Sequence, residues 1–437
     1  MRTVQDLVTA LRTAADTAPE PFDILGGVAA RRRRRTRRRH RAAFAAAAVV
    51  TIVVAGTLAL RGAHGAQPIA ARPAMPTTPA TQPSWAGAPS PERQPTADEV
   101  WPEAVFLMPK KAADGSAYRL QTAISPTEVL VMAEASFEKA GRIEVYDLKA
   151  HTSRVVVPMP QHPKGYFEQG AVAGDTYIAW WGTTPESPGW ADFWVAPREG
   201  GAPVKVGEVR GGLADVDQMA VTRDHVIWSP AAGGVYRMPI SGGAPERIPG
   251  TDGLWLTDWP SAVDVRDLWY GSGPPSSPET NQSVLADLKT GARKDVGGIR
   301  PAGVTGWRCS TTWCYGSDGQ STVISRTDGS AMRTVPGLML SGTIHGGRFA
   351  EGGAGVYDLA TGRTGQVMAR TAEGEASSRA VGTSASPTLV YYWNALPIVF
   401  KDPCAGPSPG TQDCVPAPAR PGKDFKVLNL AAIPPPG

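Results

Sequence analysis

The four cysteines are the residues whose spacing most directly suggests chemistry. Cys309 and Cys314 flank the stretch Ser-Thr-Thr-Trp, and Cys404 and Cys414 bracket a loop rich in proline and glycine. All four follow the apolar segment described below, on the expected oxidising side of a membrane. Of the three connectivities that four cysteines allow, we expect the local one, 309 with 314 and 404 with 414. A zinc site formed by all four thiolates is the alternative, although neither pair has the two-residue spacing typical of zinc ligands.

Other patterns that would indicate catalysis are scarce. The chain contains neither an H-E-x-x-H zinc motif nor a G-x4-G-K-[ST] phosphate loop. The histidines beyond the apolar segment are scattered, and we expect them in exposed loops rather than in a metal-binding ring: His151, His162, His225 and His345. We therefore predict a protein that is not an enzyme and that uses no cofactor or metal. An extracytoplasmic enzyme with acidic catalytic residues and no recognisable motif is the weaker alternative.

Two further stretches resemble ligand-binding features but have structural explanations. Trp180 and Trp181 could stack on a sugar, yet neighbouring residues of a strand point to opposite faces, so at least one is expected in the core. Tyr315–Ser321 contains an aspartate among glycines and serines, and we expect an ordinary turn there.

The elements that position these residues begin with a basic segment followed by an apolar one. Residues 31–41 hold nine arginines, and residues 42–60 contain no charged side chain. A helix of that length spans about 28 Å, close to the thickness of the hydrocarbon layer. Since only Arg61 follows directly, we predict a single transmembrane helix over 42–60 in the cell membrane, with the N-terminus in the cytoplasm and the C-terminal part outside. A cleaved export signal that ends near residues 62–67 is the alternative.

The excess of positive charge is confined to this region. Through residue 61 the chain has 12 basic and four acidic residues, and the remainder has 32 basic and 36 acidic ones. Because membrane topology explains the arginines, we do not expect nucleic-acid binding.

Residues 1–41 are predicted to form a cytoplasmic basic leader with a short amphipathic helix. Its apolar side chains recur at helical spacing and are candidate partner-binding residues: Val4, Leu7, Val8 and Leu11. The alternative is a marginal helix that rests on the inner leaflet or stays disordered.

Beyond the anchor, composition separates a stalk from a repetitive domain. Residues 61–98 are rich in proline, alanine and threonine and are predicted to be a disordered stalk. From residue 99 onward, apolar runs, most of them rich in aromatic residues, begin at 129, 176, 225, 267 and 312, about 45 residues apart, and again at 388, with a weaker run at 347. Most are followed by two more short runs around a glycine-containing turn. This period, with four short strands in each repeat, is the signature of a β-propeller blade.

We therefore predict an all-β propeller over residues 99–437 with seven blades, six or eight being the alternatives. A large barrel or sandwich remains open, because such domains also contain short strands at regular turns. Closure of the ring would pair an early strand, Glu103–Pro109 or Ala117–Ala123, with a late one, Pro397–Asp402 or Phe425–Ala431.

Two copies of the repeat, Phe193–Val206 and Gly234–Ile248, resemble those of TolB-like and WD40-like propellers, in which an aromatic strand precedes a Gly-Gly turn and a return strand. The order of leader, anchor, stalk and propeller also resembles membrane proteins encoded beside extracytoplasmic-function sigma factors in GC-rich bacteria. The histidine and cysteine zinc motif of anti-sigma factors is absent from this leader. The resemblance implies a protein that binds or senses an extracytoplasmic ligand or envelope protein, with a sigma factor as candidate cytoplasmic partner. A non-signalling envelope scaffold is the alternative.

Overall fold

Seven four-stranded antiparallel sheets form the C-terminal part of the protein in a computed structural model. The structure describes residues 94–436 except 137–138, 161, 163–164, 185–188, 267–280, 353–354, 371–375, 380–381, 384–388, 396–399, 402–416 and 419–421. The predicted leader residues Val4, Leu7, Val8 and Leu11, the predicted anchor, and Cys404 and Cys414 lie outside these ranges. In the described ranges, no helix is long and apolar enough to cross a membrane.

A short helix and a single strand come first in the described chain, and six blades of four consecutive strands follow. The first elements are α1 (Ala97–Val100), a 3-10 turn (Pro102–Ala104) and β1 (Val105–Pro109). Blades 1 to 3 contain β2 (Ala117–Ala123), β3 (Glu128–Ser136), β4 (Lys139–Asp147), β5 (Thr152–Pro158); β6 (Phe167–Ala173), β7 (Tyr177–Thr183), β8 (Trp190–Pro197), β9 (Val204–Arg210); and β10 (Val216–Val221), β11 (His225–Pro230), β12 (Tyr236–Pro239), β13 (Glu246–Arg247). Blades 4 to 6 contain β14 (Trp255–Leu256), β15 (Ser261–Val263), β16 (Val284–Asp287), β17 (Arg293–Asp295); β18 (Thr305–Cys309), β19 (Trp313–Ser317), β20 (Ser321–Arg326), β21 (Arg333–Pro336); and β22 (Leu340–His345), β23 (Phe349–Gly352), β24 (Gly355–Asp358), β25 (Thr364–Gln366).

The seventh blade closes the ring with a strand from the start of the domain. Two small paired strands, β26 (Met368–Arg370) and β27 (Ala376–Arg379), precede it. The blade itself contains β28 (Gly382–Thr383), β29 (Val390–Asn394) and β32 (Asp424–Asn429), with β1 as its outermost strand. Between β29 and β32, β30 (Phe400–Lys401) and β31 (Ala417–Pro418) pair with each other as a separate two-stranded sheet.

The structure shows which of the candidate early and late strands pair to close the ring. β1 is antiparallel to β32, with Met108 opposite Phe425, so the pairing of Glu103–Pro109 with Phe425–Ala431 is confirmed. Ala117–Ala123 is instead the first strand of blade 1. The prediction of seven blades is also confirmed for the described residues.

The core is divided into seven hydrophobic clusters, one at each junction between neighbouring blades. Alternate side chains of a strand point to opposite faces, so a blade contributes to two clusters. In β8, for example, Phe193 packs towards blade 3, whereas Ala196 packs towards blade 1. Among the described residues, five tryptophans are fully buried: Trp101, Trp180, Trp228, Trp307 and Trp393.

The chain enters the ring between blades 6 and 7. Gln366 donates its backbone N–H to Pro95 O at 2.9 Å, and Trp101 packs in the cluster shared by the two blades. A Cβ on Gly365 would lie 2.5 Å from the Trp101 ring, so glycine is required for this close approach.

The second strand of blade 4 is Ser261–Val263, which lies between β14 and β16. The aromatic run that begins at Asp267 falls in the sequence between the second and third strands of this blade and lies outside the described residues. The repeat copies Phe193–Val206 and Gly234–Ile248 contain the third and fourth strands of blades 2 and 3, joined by the expected Gly-Gly turns, whose glycines have positive φ.

Candidate functional site

The two faces of the propeller differ in the lengths of their connections. On one face, the turns between first and second strands and between third and fourth strands are three to six residues long. We call this the turn face. The connections from second to third strands begin and end at the opposite face, and two of them are long, 264–283 in blade 4 and 395–423 in blade 7, with most of their residues outside the described ranges. We call it the insertion face, and it also carries the connections between blades.

The long connection of blade 4 is fixed at both ends. Asp264 accepts backbone N–H groups from Ser283 at 3.0 Å and Val284 at 3.1 Å, which closes the base of the connection. Arg266 donates to Asp217 of blade 3 at 2.7 Å. On the other side, Gln282 Oε1 accepts the N–H of Cys309 in blade 5 at 2.8 Å. The connection therefore starts and ends at positions held by both neighbouring blades.

The base of the blade 7 connection is held by the closing strand. Lys110, directly after β1, donates to Asn394 Oδ1 at 2.6 Å, and its ammonium lies 5.2 Å from the centre of the Phe425 ring. Burial lowers the pKa of Lys110. The backbone N–H of Lys110 also donates to Lys423 O at 3.0 Å. Ring closure and the insertion in blade 7 thus share the same contacts.

A cluster of aromatic and charged side chains lies on the insertion face at blade 2. We define the blade 2 cluster as His162, Tyr166, Trp190, Asp192, Trp194, Lys205 and Glu208. Tyr166 Oη donates to Asp192 Oδ1 at 2.7 Å, and the His162 ring stacks on Tyr166 with 3.7 Å between ring centres. Burial beside Asp192 raises the pKa of Tyr166, and burial lowers that of His162.

The position of Tyr166 depends on a glycine in the neighbouring strand. A Cβ on Gly182 would lie 2.0 Å from Tyr166 Oη, so only glycine leaves room for the phenol above β7. Blade 1 repeats the arrangement, since Tyr118 Oη donates to Glu144 at 2.8 Å. Arg142 pairs with that carboxylate and also with Asp114 at 2.6 Å. Burial raises the pKa of Tyr118 to about 12.

The innermost strands of blades 1 and 2 are joined near the insertion face by Arg119. Its guanidinium pairs with Glu134 at 2.5 Å and donates to Glu168 O at 3.0 Å and to Gln169 O at 2.8 Å. Burial raises the pKa of the Glu168 carboxyl, which accepts the N–H of Ala140 at 3.1 Å. Through these contacts Arg119 links blade 1 to blade 2.

On the turn face, hydrogen bonds connect the first turns of blades 4, 5 and 6. Asp258 Oδ2 accepts the N–H of Gly346 at 3.2 Å, which links the first turns of blades 4 and 6. Ser310 Oγ donates to Gly347 O at 3.0 Å and adds blade 5 to this contact. Burial raises the pKa of Asp258 to about 6.

The residues singled out by sequence are dispersed. Cys309 and Cys314 face each other on β18 and β19 and form the expected disulfide, with Cα atoms 4.0 Å apart. His151 is exposed, and the other three histidines are half-buried in blades 1–2, 3 and 6. Among the described residues, no three His, Cys, Asp or Glu side chains are grouped to hold a metal ion.

The other two stretches have structural roles. Trp180 is fully buried, which confirms that at least one of the tandem tryptophans belongs to the core. Asp318 accepts the N–H groups of Gln320 at 2.9 Å and Ser321 at 2.7 Å, so Tyr315–Ser321 contains the expected turn. The blade 2 cluster was not expected from sequence, because its members come from three separated segments.

The chain matches no protein-family model and no curated protein. It is similar to solved structures at low identity. An oligogalacturonate lyase in complex with manganese matches at 12% identity and a TM-score of 0.30, over 57% of this chain and 63% of the lyase chain, so less than two thirds of the lyase is spanned. YCF48 bound to D1 peptide matches at 10% identity and a TM-score of 0.41, over 68% of this chain and 95% of the YCF48 chain. A chain of the Mitotic Checkpoint Complex matches at 12% identity and a TM-score of 0.36, over 79% of this chain and 98% of the other. At these identities the likeness concerns the fold alone.

Proposed function

We propose that the protein is a single-pass, membrane-anchored binding protein whose propeller recognises an extracytoplasmic ligand or envelope protein through the insertion face. The observation that supports this proposal is the difference between the faces. The described strands are joined at the turn face by short turns, whereas the long connections 264–283 and 395–423 begin and end at the insertion face. Loops on a rigid scaffold are where binding residues concentrate.

The membrane part of the proposal comes from the sequence. Nine arginines before residues 42–60 favour a cytoplasmic leader and an external propeller. The TolB-like repeats and the order of segments favour a sensor that relays to a cytoplasmic partner such as a sigma factor. The stripe of Val4, Leu7, Val8 and Leu11 would be the contact for that partner.

Site-specific photocrosslinking in living cells tests which face is used. A photoreactive residue replaces Lys111 or Arg210 on the insertion face, and Lys149 or Lys289 on the turn face, all in exposed positions of the full-length chain. We expect the same covalent adduct from both insertion-face positions and none from the turn face. Adducts from the turn face alone, or equally from both faces, would contradict the proposal.

A further inference from the structure

The ammonium group of Lys205 lies among two carboxylates and an aromatic ring. Lys205 Nζ is 3.6 Å from Asp192 Oδ2, 3.4 Å from Glu208 Oε2 and 5.8 Å from the centre of the Trp190 ring. Trp190 Nε1 donates to Glu208 at 3.2 Å and fixes that carboxylate beside the ring. Opposite charge and the face of an aromatic ring are the features that bind alkylammonium groups.

The buried carboxylate makes a cation necessary at this position. The Asp192 side chain is only 4% exposed, and the hydroxyl of Tyr166 satisfies Oδ1 while leaving Oδ2 to Lys205. A buried carboxylate without a counter-ion is strongly unfavourable. Lys205 supplies the charge at distances longer than the roughly 2.7–2.9 Å of a close charge-assisted hydrogen bond. A cation that is free of the backbone of β9 can approach the carboxylates more closely.

The box formed by Trp190, Asp192 and Glu208 has supports other than Lys205, since Glu208 accepts from Trp190 Nε1 at 3.2 Å and pairs with Arg210 at 3.0 Å. Tyr166 is held between the backbone at Gly182 and the ring of His162, and it contacts Trp190 edge to face at 6.2 Å. The Lys205 side chain is 41% exposed, which leaves a route from solvent to the box. The binding groups are therefore preorganised and accessible.

We propose that this box binds the alkylammonium group of a ligand, such as a lysine side chain, and that the ligand amine replaces the ammonium of Lys205. The inference rests on the proposed function, because Trp190 directly follows the second-to-third strand connection of blade 2 on the insertion face. It adds the chemical class of the group that is recognised. Lys205 acts as the resident cation when the ligand is absent.

Titration of the full-length protein with a lysine probe tests the inference. The probe is Nα-acetyl-lysine methylamide, and its uncharged analogue is Nα-acetyl-norleucine methylamide. We expect Lys205→Ala to bind the lysine probe at least about tenfold more tightly than wild type, because no resident ammonium competes and a buried carboxylate needs a counter-ion. Neither protein should bind the norleucine probe. Lys149→Ala, on the turn face, is the matched control and should behave as wild type.

Glu208→Gln tests the same site while Lys205 stays in place, which covers the case in which Lys205→Ala fails to fold. It should weaken binding of the lysine probe to an otherwise wild-type chain. Equal binding of both probes, or no gain in a folded Lys205→Ala variant, would overturn the alkylammonium site. Insertion-face crosslinks from Lys111 and Arg210 would stand in that case, so failure of the ligand class is distinguishable from failure of the proposed function.

Discussion

Replacement of Met108 by alanine should destabilise the propeller far more than replacement of its neighbour Leu107. Both residues lie on β1, the strand that closes the ring. Met108 is fully buried in the cluster between blades 7 and 1, whereas Leu107 is 52% exposed. Removal of a buried methionine side chain costs about 2–5 kcal/mol, because transfer free energy is lost and a cavity remains. A substitution at an exposed position typically changes the free energy of unfolding by less than about 0.5 kcal/mol.

Thermal unfolding of the full-length protein in detergent, followed by tryptophan fluorescence, measures this difference. At about 2 °C for each kcal/mol in a large domain, Met108→Ala should lower the unfolding temperature by about 4–10 °C and Leu107→Ala by about 1 °C. The two substitutions lie on the same strand and differ in whether the replaced side chain faces the core or the solvent. Equal shifts for the two variants, or no shift for Met108→Ala, would refute the assignment of β1 as the closing strand.

Four further predictions concern the disulfides, a buried carboxyl, the topology and the leader. Non-reducing peptide mapping of exported protein should find the bonds 309–314 and 404–414, and four alkylatable thiols or bound zinc would contradict this pairing. The pKa of Asp258 is raised from 3.8 to about 6, so wild type loses stability as the pH rises through this range and the carboxyl ionises. The unfolding temperature of Asp258→Asn should therefore increase relative to that of wild type between about pH 4 and pH 7. Parallel pH profiles of the two unfolding temperatures would contradict the shift. A reporter enzyme that works only outside the cytoplasm should be active when fused to the C-terminus, and release of a fragment that starts near Ala66 would show cleavage instead of anchoring. A pull-down with residues 1–41 should recover a specific partner, and the double substitution Leu7→Asp with Leu11→Asp should abolish this recovery without affecting membrane insertion. Equal recovery by the wild-type leader and the double variant would exclude a partner contact through these apolar residues.

Much of the architecture follows from local sequence, because most blades are local meanders whose apolar and usually aromatic second strand recurs at a regular interval. The closing strand was identifiable only as one of two candidates, since alternation alone does not say which strand completes the last blade. The second strand of blade 4 could not be identified from the sequence, because Ser261–Val263 is three residues long and lacks an aromatic residue.

The blade 2 cluster could not be read from the sequence. His162 belongs to a connection between blades, Trp190 and Asp192 to β8, and Lys205 and Glu208 to β9. A register shift between Phe193 and Trp194 sets which residues of β9 face Asp192. That shift has no local signal in the sequence. The one available hint is Gly182, a glycine inside an aromatic strand, which often marks the close approach of another group.

Carboxyl labelling of the full-length protein with a carbodiimide, in native membranes and after purification, tests binding at the insertion face most directly. Asp114, Glu208 and Asp252 are accessible carboxylates on the insertion face, and Glu199 and Glu246 are accessible on the turn face. If the insertion face holds a ligand or envelope protein, the first three should be labelled less in native membranes than after purification, while the other two should be labelled equally in both. Protection confined to Glu199 and Glu246, or no protection on either face, would contradict binding through the insertion face.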